Sequence, residues 1–270
     1  MRNLLKFLPW VMTAGLYSPV FYELYRARWH SIDYTHAYFI LPVSMWLAFR
    51  KRTMIKKMLH GQDYRVFKGL VLIAIGLSMF IFAWRKEYLS ISTMSLIPLL
   101  FGMVYYLYGR SMVKALSFPI IYLILLVPPP IGIIDSITLP MRYGISLATG
   151  AFLRLAHYPI TREGLLFSFS GHQIYMGTPC SGFRSLITMM SLGLIYAYMS
   201  KGSRRKKLFL VLSVIPIALL GNFIRVTGVC VSTYHFGPSF AQKFHDYSGF
   251  IIFIALILAL AGLDSLMEKK

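Results

Sequence analysis

The chain has 270 residues, of which 57% are hydrophobic, 16% are aromatic and only 14% are charged. A soluble domain carries roughly 25% charged residues, so this composition excludes an ordinary soluble enzyme and a disordered chain and indicates a polytopic membrane protein. The net charge of +19 would suggest nucleic-acid binding in a soluble domain. Here, however, the basic residues cluster in short loops between apolar segments, which is typical of cytoplasmic loops in membrane proteins.

Eight segments are predicted to be transmembrane helices, each of which needs about 20 mostly apolar residues. The first is not expected to be a cleavable signal peptide, because Pro9 and aromatic residues interrupt it and no cleavage site of small residues is clear. The eight predicted helices cover residues 4–22, 34–49, 67–84, 88–107, 112–130, 180–199, 208–231 and 248–266.

The segment 131–156 is ambiguous. It is mildly apolar but contains Asp135, Arg142 and Arg154. If it crossed the membrane, the basic cluster at 201–207 would face outward, against the positive-inside rule. We therefore expect an interfacial or re-entrant segment at the outer face, eight transmembrane helices and both termini in the cytoplasm.

A small β-hairpin is predicted between this outer segment and the sixth helix. Two short alternating runs, 165–169 and 172–176, lie on either side of the turn residues Ser170 and Gly171. The hairpin would lie at the outer surface, just before the helix that carries Cys180. The expected organisation is one integral membrane domain, with a five-helix part at 1–130, an outer segment with the hairpin at 131–178 and a three-helix part at 179–270.

Cys180 is a candidate nucleophile. It follows Pro179, which suits a helix start, and Arg184 lies four residues on, on the same helical face. Helix N-terminal amides and a nearby cation both favour a thiolate. The alternative is a buried cysteine that packs as a small hydrophobic residue, and this is the interpretation given to Cys230. With two cysteines and no ligand-like spacing, neither a disulfide scaffold, a metal nor a cofactor is expected.

Arg225 lies in the outer half of the predicted seventh helix. An arginine inside an apolar span is costly and usually functional, and it can bind a carboxylate or stabilise a developing oxyanion. Asn222 lies three residues earlier, on the same face, and can bind a carbonyl or the guanidinium. The alternative is an arginine that reaches out to the lipid headgroups.

His245 lies in the predicted outer loop before the eighth helix. A histidine serves as a base for a thiol and as an acid for a leaving amine. Asp246 is adjacent, but neighbouring side chains on a helix diverge, so it is not simply an orienting partner. The alternative is an ordinary interfacial histidine, because composition alone does not separate His245 from five others on the outer side. These are His30, His36, His157, His172 and His235.

Three short motifs follow one another towards the C-terminus: PCSGFRS at 179–185, NFIRV at 222–226 and HDYSGF at 245–250. In order and spacing they resemble the CSG, NxxR and H-[DE]-x-x-G boxes of the exosortase/archaeosortase family. YTHA at 34–37 is similar to that family's YSHG-like segment, although its second and fourth residues differ. A histidine in the third motif favours the bacterial branch of the family.

The resemblance implies a membrane-embedded cysteine protease and transpeptidase of the bacterial inner membrane, often linked to exopolysaccharide systems. Its implied substrates are secreted proteins whose C-terminal signal has a recognition motif, one hydrophobic helix and a basic tail. The other implied partners are the lipid bilayer and an unknown acceptor. No nucleic acid is expected to bind. Cys180 would form a thioester, Arg225 would stabilise the oxyanion and His245 would transfer protons. The supporting or substrate-binding residues would be Asn222, Arg184, Ser181 and Asp246.

Two other functions fit parts of this pattern. A lipid-linked saccharide transporter or polymerase component would use Arg225 and the outer basic residues to hold phosphate. A non-catalytic secretion or assembly factor would need none of the three motif residues. An intramembrane serine protease is disfavoured, because the sequence lacks a Gly-x-Ser-x-Gly elbow. Replacement of Cys180 by alanine separates the enzyme from its rivals.

Overall fold

The computed structural model describes residues 2–29, 34, 36–58, 66–130, 132–169 and 171–268. These fall into two compact units, Met1–Pro130 and Ile131–Lys270. Apart from one small sheet the described regular structure is helical, which confirms the expected helical class with a small β element. Thr35 of the YTHA segment and Ser170 of the predicted hairpin turn lie outside the described residues.

The first unit contains six described α-helices, and α4 lies directly against α6. A β-carbon on Gly76 of α4 would lie 2.8 Å from the backbone nitrogen of Leu99, and one on Gly102 of α6 would lie 2.6 Å from that of Ile73. Glycine therefore lets these two backbones touch. The helices are α1 (Arg2–Leu24), α2 (Ala37–Arg50), α3 (Arg52–Met58), α4 (Val66–Arg85), α5 (Leu89–Met94) and α6 (Leu96–Tyr122).

Helix α6 is interrupted at Gly109, and Pro119 removes one backbone hydrogen bond nearer its C-terminal end. Gly109 has φ 78° and ψ −177°, which are not helical values. Pro119 has no N–H to donate to the carbonyl of Ala115, four residues earlier. Lys51 Nζ donates to that carbonyl instead, at 2.6 Å. The hydroxyl of Ser44 donates to the carbonyl of Pro119 at 2.8 Å. Ser44 of α2 and Lys51, which follows α2, thus supply donors to α6 near this proline.

Four helices among the described residues are long and apolar enough to cross a membrane, and two more are apolar but shorter. One of the four runs for 38 residues, whereas a straight helix of that size would be about 57 Å long and the hydrocarbon core is about 30 Å thick. The predicted helices 88–107 and 112–130 thus form one run, broken at Gly109 rather than by a loop. The predicted helix 4–22 is not among the six, and the count of eight stays a prediction. The six are Phe67–Arg85, Leu89–Leu126, Arg204–Phe236 and Pro238–Glu268, with the shorter Ala37–Arg50 and Phe183–Met199.

The second unit begins with α7, which forms one continuous helix over most of the segment predicted to be interfacial or re-entrant. Its buried residues recur at helical spacing and are largely polar: Thr138, Arg142, Ile145, Ser146, Thr149, Gly150 and Leu153. The elements of the unit are α7 (Ile133–Leu155), β1 (Thr161–Glu163), β2 (Leu166–Phe169), β3 (His172–Tyr175), α8 (Phe183–Met199), α9 (Arg204–Phe236) and α10 (Pro238–Glu268).

The predicted hairpin is present as strands β2 and β3, which pair antiparallel with Phe169 opposite His172. A further strand, β1, pairs with the other edge of β2 and was missed from the sequence. Gly164, with φ 61°, allows the chain to turn back between them. Phe167 of β2 is completely buried and packs in one apolar cluster with Ile145 of α7. The sheet is thereby fixed to α7.

Helices α9 and α10 pack closely because α9 carries two glycines on the contact face. A β-carbon on Gly221 would lie 2.8 Å from the side chain of Ile252, and one on Gly228 would lie 2.7 Å from the ring of Phe244. These contacts fix the register of α10 along α9. α10 begins at Pro238, ten residues before the predicted 248–266, with proline near its preferred first helical position.

A buried ion pair joins the opposite end of these helices. Lys206 Nζ lies 2.6 Å from Asp264 Oδ1, and the hydroxyls of Tyr196 and Ser200 donate to the same carboxylate at 2.9 and 3.0 Å. The carboxylate of α10 is therefore held by α8, by the residue that follows α8 and by α9.

Candidate active site

Cys180 lies in a short 3-10 turn, Thr178–Ser181, which we call the cysteine turn. The prediction that it begins an α-helix is wrong, because Gly182 has a left-handed φ of 75° and α8 begins only at Phe183. Arg184 is therefore not one helical turn away from Cys180. The cysteine is half-buried against the apolar cluster between α7 and the sheet.

Two side chains of α9 hold the backbone of the cysteine turn. Arg225 Nη2 donates to the carbonyl of Pro179 at 2.6 Å, and Asn222 Nδ2 donates to the carbonyl of Cys180 at 3.0 Å. Arg225 Nη2 also lies 3.3 Å from Asn222 Oδ1, so the two side chains support each other. Residues three apart on α9 thus fix two consecutive carbonyls at the candidate nucleophile.

Arg225 lies deeper in its helix than the sequence suggested. α9 continues to Phe236, eleven residues or about 16 Å beyond Arg225, whereas the predicted helix ended at residue 231. Its guanidinium binds the cysteine turn, which is not the arrangement expected for an arginine that reaches out to headgroups. Its Nε is buried and has no hydrogen-bond partner among the described residues.

The third motif lies inside α10 and not in a loop, which corrects the predicted position of His245. His245 is about two turns from the start of α10. A β-carbon on Gly249 would lie 3.9 Å from Arg225 Nη1. His245 precedes Gly249 by four residues, so it lies one turn away on the same face of α10. The packing of α10 on α9 therefore brings the histidine motif to the arginine motif.

Asp246 contacts His245 more closely than expected for adjacent residues. His245 Nδ1 lies 3.3 Å from Asp246 Oδ1, and the His245 side chain is 26% exposed against 61% for Asp246. Gln242 Nε2 donates to the same carboxylate oxygen at 3.2 Å. This long contact orients one ring nitrogen towards Asp246 and leaves the other nitrogen for a different partner.

Comparison with known proteins adds one finding to this geometry. A family model described as transmembrane exosortase (Exosortase_EpsH) matches residues 29–262. The chain belongs to the exosortase family. No curated protein and no solved structure matches it.

In this exosortase the resting thiol is not strongly acidified. Burial raises the pKa of Cys180 above its ordinary value, and this effect outweighs three that lower it. The three are the charge of Arg225, a backbone hydrogen bond with Gly177 and the charge of Arg142. The acidification expected at a helix start is therefore not found.

The remaining predicted residues have more limited contacts. Ser181 is buried, and its hydroxyl accepts the N–H of Phe183 at 3.2 Å, at the start of α8. Arg184 is exposed in the first turn of α8. Cys230 is buried in α9, as its packing interpretation requires. Among the other histidines, His235 contacts the hydroxyl of Tyr158 at 3.2 Å.

One buried charged residue beside the site was not named as a candidate from the sequence. Arg142 of α7 is only 9% exposed, and α7 packs against the cysteine turn. The signal was present, since Arg142 shares a helical face with Thr138, Ser146 and Thr149 in a mildly apolar segment. In the sequence analysis its charge was used only to judge whether the segment crosses the membrane.

Proposed function

We propose that this exosortase-family chain is a protein-sorting cysteine transpeptidase of the bacterial inner membrane. It cleaves the C-terminal sorting signal of secreted proteins through a thioester on Cys180 and transfers the protein to an acceptor. The observation that carries the proposal is the pair of hydrogen bonds to the cysteine turn. Arg225 donates to the Pro179 carbonyl, and Asn222 donates to the Cys180 carbonyl. Membership of the exosortase family supports it.

The proposed arrangement in the membrane has eight crossings, both termini in the cytoplasm and the cysteine turn on the periplasmic side. The basic loops support this orientation, because the positive-inside rule assigns the clusters at 50–57 and 201–207 to the cytoplasm. The break at Gly109, close to Arg110, supports two crossings within the long run of α5 and α6.

The first chemical step is attack on the scissile amide. His245 takes the proton of the Cys180 thiol, and the sulfur forms a bond to the carbonyl carbon. The carbonyl oxygen becomes an oxyanion, which Arg225 stabilises with N–H groups that do not bind the turn. An arginine has five N–H donors, and the hydrogen bonds that Arg225 makes among the described residues involve only its Nη2 group.

The tetrahedral intermediate then collapses. The C–N bond breaks, His245 gives its proton to the leaving amine, and the secreted protein remains attached to Cys180 as a thioester. An acceptor amine, or water, attacks the thioester and regenerates the thiol. The raised pKa of Cys180 in the resting protein agrees with a mechanism in which His245 removes the proton only as the substrate reacts.

The direct test compares Cys180→Ala with Cys230→Ala in membranes that contain a secreted protein with a C-terminal sorting signal. Cys180→Ala should abolish cleavage at an unchanged level of the membrane protein, whereas Cys230→Ala should cleave normally because Cys230 is buried in α9. Wild type should also yield a hydroxylamine-sensitive adduct of the substrate on the peptide that contains Cys180. Cleavage by Cys180→Ala would contradict the proposal and favour the transporter or assembly-factor alternatives.

A further inference from the structure

Arg142 has the burial of a core residue but lacks the partners that a buried cation normally needs. It is 9% exposed, and its Nε has no hydrogen-bond partner among the described residues. No ion pair found in the described part of the chain includes it. A buried charge without a counter-charge destabilises the folded protein, because its desolvation is not compensated. An anion supplied from outside the chain would provide that compensation.

Thr138 provides a second unused donor on the same face of α7. It lies four residues before Arg142 and is completely buried, and its hydroxyl has no partner among the described residues. Thr149 of the same helix and Thr227 of α9 also have buried hydroxyls without a partner among the described residues. Of the two on α7, Thr138 lies one turn from Arg142 and Thr149 lies two turns away. Four other helical threonines donate to the carbonyl four residues earlier: Thr13, Thr93, Thr188 and Thr233.

The two unused donors belong to the helix that supports the nucleophile. α7 packs against the cysteine turn, and Ile145, three residues after Arg142, belongs to the apolar cluster against which Cys180 packs. The charge of Arg142 acts on Cys180 strongly enough to lower the pKa of the thiol, second among the charges after Arg225. Arginines from α7 and α9 therefore make the surroundings of the sulfur electropositive.

We propose that Arg142 and Thr138 form an anion subsite that binds a carboxylate of the polypeptide substrate, close to the scissile bond. This inference rests on the proposed function, since it assigns the ligand to the chain whose carbonyl Cys180 attacks. A guanidinium and a hydroxyl on one helical face match the two oxygens of a carboxylate. The polypeptide is the favoured source because its reacting carbonyl must lie on the cysteine turn, which α7 and α9 both contact.

The subsite predicts a preference for anionic reagents that does not depend on turnover. Iodoacetate and iodoacetamide alkylate the same sulfur and differ in charge, so their relative rates report on cations near Cys180. In the full-length protein with Cys230→Ala, Arg142→Gln should lower the iodoacetate-to-iodoacetamide rate ratio by about 10-fold or more, the size expected for a lost charged hydrogen bond. Arg142→Lys should retain part of the preference, and Thr138→Val should lose a smaller part.

Arg154→Gln is the matched control. Arg154 lies on the same helix but is exposed, and its Nε donates to the carbonyl of Gly150 in its own helix. Its replacement should leave the rate ratio unchanged. Because Arg142 has no ion-pair partner among the described residues, Arg142→Gln should not lower the unfolding temperature, whereas the same change at a purely structural arginine would. An unchanged ratio in Arg142→Gln would overturn the subsite, whether or not the protein cleaves any substrate.

A protection experiment identifies the kind of anion. Acetyl-glutamate amide and acetyl-aspartate amide should slow alkylation of Cys180 by iodoacetamide in wild type and not in Arg142→Gln, and acetyl-glutamine amide should do so in neither. Protection by inorganic phosphate or by vesicles of phosphatidylglycerol, but not by the acidic amides, would overturn the assignment to a polypeptide carboxylate. With a cleaved substrate protein, neutralising the recognised acidic residue should lower kcat/KM about 10- to 100-fold. When the neutralised substrate is tested with Arg142→Gln, kcat/KM should fall little further.

Discussion

Gly182 and Asn222 approach so closely that a β-carbon on residue 182 would lie 2.6 Å from Asn222 Cγ. Gly182 also has a φ of 75°, which other residues adopt only with strain. Two physical constraints therefore favour glycine at position 182, two residues after the candidate nucleophile. It separates the cysteine turn from α8, and it lets Asn222 reach the carbonyl of Cys180.

Replacement of Gly182 by alanine should disable the site while leaving the helices in place. The new methyl group would displace Asn222 and cost the protein its hydrogen bond to Cys180, so we expect at least a 100-fold loss of substrate cleavage. Gly177→Ala is the control, because its β-carbon would meet only Pro179 Cδ at an ordinary 3.5 Å. Cleavage rates and membrane protein levels of both variants provide the measurement. Equal cleavage by the two would show that the close approach does not position the nucleophile.

The position of His245 shows where hydropathy misleads. The apolar run that the sequence analysis assigned to the last helix starts at residue 248, because Lys243, His245 and Asp246 lower the hydropathy before it. The helix nevertheless starts at Pro238. Hydropathy locates the part of a helix that lies in lipid, whereas caps and prolines locate the helix itself. The family resemblance is therefore confirmed, whereas the loop predicted around His245 is wrong.

The close approach of Gly182 to Asn222 and the burial of Arg142 were harder to predict, because both depend on contacts between distant parts of the chain. Gly182 adopts its left-handed conformation where α9 approaches the cysteine turn, and no local pattern indicates which glycine does so. Arg142 becomes informative only when its burial and its unused Nε are known. The sequence sufficed for the helical class, the hairpin and the three motifs, since those depend on composition and local periodicity.

Arg225→Lys should be nearly as damaging as loss of the charge altogether. An ammonium is a single point donor on a flexible stem, whereas the guanidinium can bind the turn with Nη2 and still present other N–H groups to an oxyanion. We expect cleavage to fall by about 100-fold or more. The matched control is Arg154→Lys on exposed α7 surface, which should cleave normally. Near-normal turnover of Arg225→Lys would reduce its role to one of positive charge.

The alkylation rate of Cys180 should depend on pH in a direction set by its burial. Because burial raises the pKa of the thiol, the half-maximal rate with neutral iodoacetamide should lie above the ordinary cysteine value of about 8.5. Arg225 and Arg142 lower that pKa, so Arg225→Gln and Arg142→Gln should each move the midpoint further up, the first by more. The rates are measured in the Cys230→Ala background, from about pH 6 to about pH 10, a range that brackets the ordinary cysteine value.

A midpoint below the ordinary value would show an acidified thiolate in the resting protein. His245 would then be needed for the leaving amine and not for activation of the thiol. His245→Gln tests whether the histidine acts only during the reaction. This variant should retain the alkylation profile of the resting thiol and lose formation of the thioester adduct.

The ion pair at the far end of the three-helix part should matter for stability and not for chemistry. Asp264→Asn removes the closer of the two carboxylates that pair with Lys206 and leaves only the exposed Glu268, at 3.4 Å. It also weakens the contacts from Tyr196 and Ser200. We expect a lower unfolding temperature in detergent and less protein in the membrane. The surviving protein should alkylate at Cys180 at the wild-type rate, because the cysteine turn lies near the opposite end of α8. The double variant Lys206→Met/Asp264→Leu removes both charges and should recover much of the lost stability. A double variant less stable than Asp264→Asn would contradict this explanation. It would show that the ion pair itself stabilises the fold, and that the loss in Asp264→Asn does not come from a buried charge without its closer partner.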